Sequence, residues 1–134
     1  MEKTAKQIEL DIYRIIKNSD LGTAINGNIY RSGMRPTGAT TEDAVVKFLT
    51  GIDEQEQSGV VIVNIYVPDT MLYGDFVEDV SRVDELEDMV NEVMSSLEDT
   101  EYWIEKDGTP HSFPVEGVKQ HFINVRLRYR RKTF

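Results

Sequence analysis

The sequence contains no cysteine. That excludes disulfide cross-links and thiolate metal sites, and with them the signature of a disulfide-framed secreted scaffold. Histidine is scarce, with only His111 and His121 present. Their spacing does not place two imidazoles on successive helical turns, as a zinc helix requires. Ser112 adjoins His111, but neighbouring side chains on a strand point to opposite faces, so the two do not make a triad. No Gly-x-Ser-x-Gly elbow occurs. Gly27, Gly33 and Gly38 are not followed by the Gly-Lys-Ser/Thr of a phosphate loop. No apolar run approaches the roughly 18 residues of a membrane helix. The start, Met1 to Lys6, lacks the apolar core of a signal peptide. Carboxylates are plentiful, yet nothing in their spacing gathers two of them in a cleft. The expectation is a soluble intracellular domain that is not an enzyme and uses no cofactor or metal.

Positive charge is also in short supply. Fifteen lysines and arginines face 24 aspartates and glutamates, for a net charge of −9. A general nucleic-acid binder needs cationic surface against phosphate, so nucleic acid is not an expected partner. The layout says more than the total. Asp75 to Glu105 holds twelve acidic residues and a single basic one, Arg82, whereas Arg126 to Lys132 holds five basic residues and no acid. A two-ended chain of this kind can settle its charge within one molecule or between copies.

What is present suffices for one core. The chain has 134 residues, 40% of them apolar, and reads as a single domain over 1–134. Gly59–Asp69 (Gly-Val-Val-Ile-Val-Asn-Ile-Tyr-Val-Pro-Asp) is its longest β-branched run. Val61, Val63, Ile65 and Val67 form a wholly apolar face, and Val60, Ile62, Asn64 and Tyr66 a mostly apolar one. A strand covered on both sides, near the middle of a sheet, is expected there. Ala44 to Leu49 precedes it as a strand, and the polar stretch Gly51–Ser58 should close an antiparallel hairpin between the two. Ile25 to Arg31 reads as a brief strand, and Ser32 to Thr41 as a loop long enough to move or to reach a neighbour. Asp107-Gly108, between Tyr102-Trp103-Ile104 and Phe113, signals a second hairpin. Thr70 to Phe76 reads as a connection that partly packs.

Two helices are expected. Residues 4–18 carry Ala5, Ile8, Ile12, Ile15 and Ile16 on one stripe. Thr4 and Gln7 match a capping box, and Asn18-Ser19-Asp20 with Gly22 a stop. Residues 81–99 carry Val83, Leu86, Val90, Val93, Met94 and Leu97, with Ser81 as the N-cap. Asp84, Glu85, Asp88 and Glu92 fall off that stripe. Their four-residue spacing would suit a divalent cation, but no ligand loop accompanies them, so a solvated acidic face is the better reading. In the last strand, Val118 to Tyr129, the alternation is clean. Ile123, Val125, Leu127 and Tyr129 point one way, and Asn124, Arg126, Arg128 and Arg130 the other. The arginine row, with Arg131, Lys132 and Arg35, is a candidate interface with a partner or with the acidic helix. The resulting fold class is α+β: a mixed, mostly antiparallel sheet of four to five strands packed by two helices.

Several segments carry a likeness. They are Ile25-Asn26-Gly27-Asn28-Ile29-Tyr30, Met34-Arg35-Pro36, Glu42-Asp43-Ala44-Val45-Val46, Val61 to Asp69, and His121-Phe122-Ile123-Asn124-Val125-Arg126-Leu127-Arg128-Tyr129. In this order the chain resembles the small tail-completion (tail terminator) and head–tail joining proteins of long-tailed bacteriophages and related prophages. The likeness is one of pattern over most of the chain. It implies a non-catalytic structural role at the tail end or the neck, exercised in a ring, often hexameric, with other phage structural proteins as partners. It also implies assembly in the bacterial cytoplasm and a place in the virion. It transfers no catalytic residue. The competing expectation is a monomeric module that binds a small ligand or host protein on an open sheet face around Trp103 and Tyr66.

Overall fold

The computed structural model describes residues 2–95 and 97–132. Among them are three helices, α1 (Ala5–Lys17), α2 (Asp20–Ala24) and α3 (Val80–Met94). Eight strands accompany them: β1 (Ile29–Arg31), β2 (Asp43–Ile52), β3 (Ser58–Pro68), β4 (Thr70–Leu72), β5 (Asp75–Val77), β6 (Tyr102–Lys106), β7 (His111–Pro114) and β8 (Gln120–Arg131). The main sheet has six strands in the order β1-β2-β3-β8-β6, with β7 also on β8, and β4 and β5 form a separate two-stranded sheet. Only β1 and β2 run parallel; the other pairings are antiparallel. The architecture is thus α+β, with a mixed, mostly antiparallel sheet packed against two main helices. The sheet is one strand larger than the upper expected count.

The Val/Ile run does form the central strand. In β3, Val61, Val63, Ile65 and Val67 are buried and lie in register with Leu127, Val125, Ile123 and His121 of β8. The buried side chains of this face join Ile8, Ile12 and Ile16 of α1 and Val83, Leu86, Val90 and Met94 of α3 in one core. Each such side chain removed from water contributes about 1.5–3 kcal/mol. Cover on both faces is corrected, however. Val60, Ile62, Asn64 and Tyr66 are only half-buried. Ile62 and Val60 stand opposite Arg126 and Arg128, and long arginine stems can shade apolar neighbours without a second layer.

Local chemistry explains most element ends. The capping box of α1 is closed from both sides: the Gln7 N–H donates to Thr4 Oγ1 at 3.2 Å, and the Thr4 N–H to Gln7 Oε1 at 2.8 Å. Ala5, expected on the apolar stripe, is exposed, and Glu9 is buried instead, paired with Arg31 at 3.2 Å. The stop signal after Asn18 is followed directly by the short α2, whose Leu21 completes the core. Asp79, not Ser81, caps α3, accepting from the Arg82 N–H at 3.1 Å. The helix ends at Met94 rather than near Asp99, and Glu98 bridges to Trp103. The hairpin between β2 and β3 narrows where Gly51 faces Gly59. A Cβ on Gly59 would lie 2.1 Å from the Thr50 carbonyl oxygen and 2.9 Å from the Tyr129 hydroxyl, so a side chain is sterically excluded there.

Two expectations about connections fail. Asp107-Gly108 does not turn a hairpin. Tyr102–Lys106 pairs with Leu127–Arg131, and His111–Pro114 pairs with His121–Asn124. β6 and β7 are therefore one interrupted edge strand along β8, and Gly108, at φ 91°, sits in the interruption. Thr70–Phe76 does not pack. It projects as the β4–β5 hairpin with Met71, Leu72, Tyr73 and Phe76 exposed.

Candidate interaction site

The open face of the sheet displays the arginine row. Arg126, Arg128 and Arg130 side chains are 46%, 58% and 49% exposed. Asp107 serves two of them, lying 3.6 Å from Arg126 and 3.3 Å from Arg128, and Glu56 lies 3.6 Å from Arg130. Exposed pairs at such distances contribute little, at most about 1 kcal/mol each. Lys47 stands opposite Ile62, and Glu105 opposite Arg128. On a chain of net charge −9 this face is nearly balanced, with a small cationic surplus.

Aromatic groups interleave with these charges. The Arg130 guanidinium lies 4.0 Å from the Trp103 ring centroid. At the other end of the face, Arg35 lies 4.2 Å over Tyr66. Tyr66 then meets Phe122 at 5.8 Å, Phe122 meets Phe113 at 5.5 Å, and Phe113 meets His111 at 4.4 Å. The hydrogen bond between Asn64 and Asn124, 2.9 Å long, lies between the two ends. Trp103 is in register with Arg130 and Tyr66 with Phe122, eight residues apart on β8. At roughly 3.3 Å per residue they are about 26 Å apart, so they do not share a pocket. Sequence reasoning does not connect Phe122, Phe113 and His111 into one aromatic run. The signal for Phe122 was its alternation with Asn124 and Arg126.

The acidic helix face lies on the far side of the core. Asp84, Glu85, Asp88 and Glu92 are all exposed on α3, while the opposite stripe of that helix packs on the sheet. Glu85 pairs with Arg82 at 3.0 Å. Burial first, and then Asp84 and Glu78 nearby, push the Glu87 pKa above the ordinary carboxylate value. This is the electrostatic mark of crowded negative charge. Among the described residues, no group of three or more histidines or carboxylates converges to hold a metal ion.

The other candidate cations are tied to carboxylates of their own chain. Arg35 donates to Asp43 Oδ2 at 3.0 Å and to the Thr41 carbonyl at 3.0 Å, which ties down the 32–41 loop. Asp43 is fully buried. Burial opposes its charge, but the Asn28 N–H, the Thr41 hydroxyl and Arg35 outweigh it and hold its pKa below the usual value. Arg131 donates to Glu101 at 2.6 Å and to Gln57 at 3.1 Å. Lys132 pairs with Glu98 at 3.0 Å. The acidic helix and these three cations therefore belong to different regions, and only Arg126, Arg128 and Arg130 form a surface row.

The histidines also separate. His121 Nδ1 lies 2.8 Å from Asp69 Oδ1, whereas Ser112 donates to Glu78, away from His111. Compared with known proteins, the chain matches no family model and no curated sequence.

Proposed function

We propose that this protein is a structural assembly subunit that associates with copies of itself head to tail, the arginine-bearing sheet face of one copy meeting the acidic α3 face of the next. One observation carries the reading. The two charged faces lie on opposite sides of one core, separated by about the thickness of a helix layer, some 10–20 Å. Asp107 and Glu56 meet the arginines only in exposed contacts, and the α3 carboxylates lie too far away to pair with them within a chain. A contact between two different faces repeats from copy to copy and closes into a ring when the rotation allows. The resemblance to tail-completion and head–tail joining proteins supplies the biological setting: a ring at the tail end or the head–tail junction of a phage or prophage particle, built without catalysis.

The test is solution mass by light scattering across protein concentration and salt. The wild-type chain should give a discrete oligomer that weakens at high salt, because exposed ion pairs are screened. R126E/R128E/R130E should be monomeric, as should D84K/E85K/D88K/E92K. Mixing the two variants should restore assembly in alternating order, since each reversed face then meets its complement. Assembly of the triple arginine variant at wild-type strength would overturn the proposal.

A further inference from the structure

The β4–β5 hairpin is an apolar arm that its own chain leaves in solvent. Tyr73 at its tip is 96% exposed, and Met71, Leu72 and Phe76 are exposed along its legs. Among the described residues, the arm's strands pair only with each other. A lone two-stranded hairpin is marginal in water, yet this one is held at both roots. The Asp69 N–H donates to the Lys119 carbonyl at 3.0 Å, and Asp69 Oδ1 lies 2.8 Å from His121 Nδ1. On the returning leg, the Ser112 hydroxyl donates to Glu78, and α3 begins two residues later at Val80. The turn residues Tyr73 and Gly74 have φ of 49° and 84°, the signs a tight type I′ turn requires. Tyrosine is a costly residue in that conformation, and glycine would be easier. Between Thr70 and Val77 the arm carries one carboxylate, Asp75, and no lysine or arginine. Lys119 lies beside it, with Nζ 4.0 Å from the Phe76 ring centroid. Glu78 at the root, and then Asp84, Glu85 and Asp88 on α3, continue the negative charge from the arm into the acidic helix face.

A complementary surface lies at the far end of the open sheet face. Ile52, Ser58, Arg130 and Trp103 are successive register partners across β2, β3, β8 and β6, and Thr50, Val60, Arg128 and Glu105 form the next row. Ile52 and Trp103 are exposed and Val60 is half-buried, so apolar surface surrounds the two guanidiniums. Around the arginine row, Lys47 and the three arginines stand against Glu105, Asp107 and Glu56. This end therefore offers Asp75 and its acidic surroundings a cationic surplus, on a chain whose net charge of −9 otherwise opposes contact between copies.

Two lengths decide whose arm fits there. The arm's root is fixed at Lys119, and Arg128 and Arg130 lie nine and eleven residues further along the chain through β8, roughly 30 and 36 Å away at about 3.3 Å per residue. From Asp69 to Tyr73 the backbone of the arm spans at most roughly 14 Å. Extended side chains do not close that gap, whichever way the arm leaves its root, so it cannot reach this end of its own sheet. The same face on a second copy has room. The 15-residue α3 is about 22 Å long and the 12-residue β8 about 40 Å, so an acidic helix laid along the arginine row leaves part of the face for the arm that adjoins its N-terminus. We infer that the arm of one copy docks on the Ile52–Arg130–Trp103 row of the next, with Tyr73 packed against Trp103 and Ile52 and with Asp75 facing Arg128. This inference rests on the head-to-tail assembly for its occupant. A few apolar side chains bury far less than the roughly 800 Å² per partner of a stable interface, so the arm adds to the charged contact and does not replace it.

The absence of cysteine makes cross-linking clean. M71C and E105C chains, mixed and oxidised, should form the mixed disulfide at least about tenfold faster than M71C mixed with K17C, whose cysteine lies on α1 in the helix layer, because docking raises the effective concentration. Tyr73→Gly relieves the turn, so melting should be unchanged or higher while self-association weakens about tenfold or more. Control-level cross-linking, with Y73G assembling like wild type and R126E/R128E/R130E monomeric, overturns the arm and leaves the assembly reading standing. Fast cross-linking with D84K/E85K/D88K/E92K assembling at wild-type strength keeps the arm and removes the helix contact. A wild-type monomer with control-level cross-linking overturns both.

Discussion

The two faces of the same sheet are built to different rules. On the covered face, Val63 and Ile65 of β3 meet Val125 and Ile123 of β8 with no accessible surface left. On the open face, the same two strands present Ile62 against Arg126 and Asn64 against Asn124, all partly wet. The covered face stabilises the fold by removing apolar area from water. The open face uses arginine stems, stacked rings and one amide pair, which leaves polar groups available to a partner. The sheet therefore separates folding from recognition across its thickness.

The largest test of that separation is a pair of truncations. Leu127→Ala removes a fully buried side chain from the covered face and should cost about 3 kcal/mol, read as a lower urea midpoint. Ile62→Ala, on the open face of the neighbouring strand, should cost no more than about 1 kcal/mol, because the Arg126 stem and water can fill its place. Equal costs would mean that the open face is also core.

An effect of comparable size is expected where the faces meet the 32–41 loop. Asp43 is buried and holds Arg35, so Asp43→Ala should cost about 3 kcal/mol at neutral pH by leaving that guanidinium without a counter-ion. The pH dependence follows from the direction of its shift. A carboxylate whose folded pKa is depressed stabilises the fold above its unfolded value, near 4, and that contribution is lost as pH falls through the folded value. Urea midpoints from pH 7 to pH 2 should fall for the wild-type chain and flatten in that acid window for Asp43→Asn. An unchanged acid limb would assign the pH dependence to other carboxylates, such as Glu101, whose pKa Lys3 and Arg131 depress against the opposing effect of burial.

How legible these features were in sequence differs strand by strand. On β8 the side chains alternate apolar and cationic, so both faces and the arginine row could be read directly. On β3 both faces are apolar, and period-two reading cannot tell a second covering layer from shading by arginines on a neighbouring strand. Asp107-Gly108 has the chemistry of a hairpin turn. Whether its flanks pair with each other or both with β8 is settled by β8 being long enough, at twelve residues, to accept both. The buried charges Glu9, Glu42 and Asp43 were not legible as such. Their partners Arg31, Arg82 and Arg35 lie 22, 40 and 8 residues away, and no local pattern announces such pairs. The β4–β5 arm was hidden for the opposite reason, since Met71, Leu72, Tyr73 and Phe76 have the composition of packed chain and are nevertheless exposed.

The smallest expected effect asks what holds the arginine row in place. Arg130 has two neighbours, the Trp103 ring at 4.0 Å and the Glu56 carboxylate at 3.6 Å. The carboxylate contact is long and exposed, and salt should screen it. The ring contact combines cation–π attraction with the packing of two flat groups, for about 0.5–1 kcal/mol at an exposed site. Double-mutant cycles with Arg130→Ala, Trp103→Ala and Glu56→Ala, measured by urea unfolding at low and high salt, separate the two. Coupling to Trp103 should be the larger and should survive salt, while coupling to Glu56 should fade. If the Glu56 coupling dominates instead, the row is positioned by its counter-ions, and a partner's carboxylates would have to displace Glu56 before they could bind. A Trp103-dominated coupling leaves the guanidinium edge free to bind while its face stays stacked. That arrangement suits a surface that must be ordered before its partner arrives.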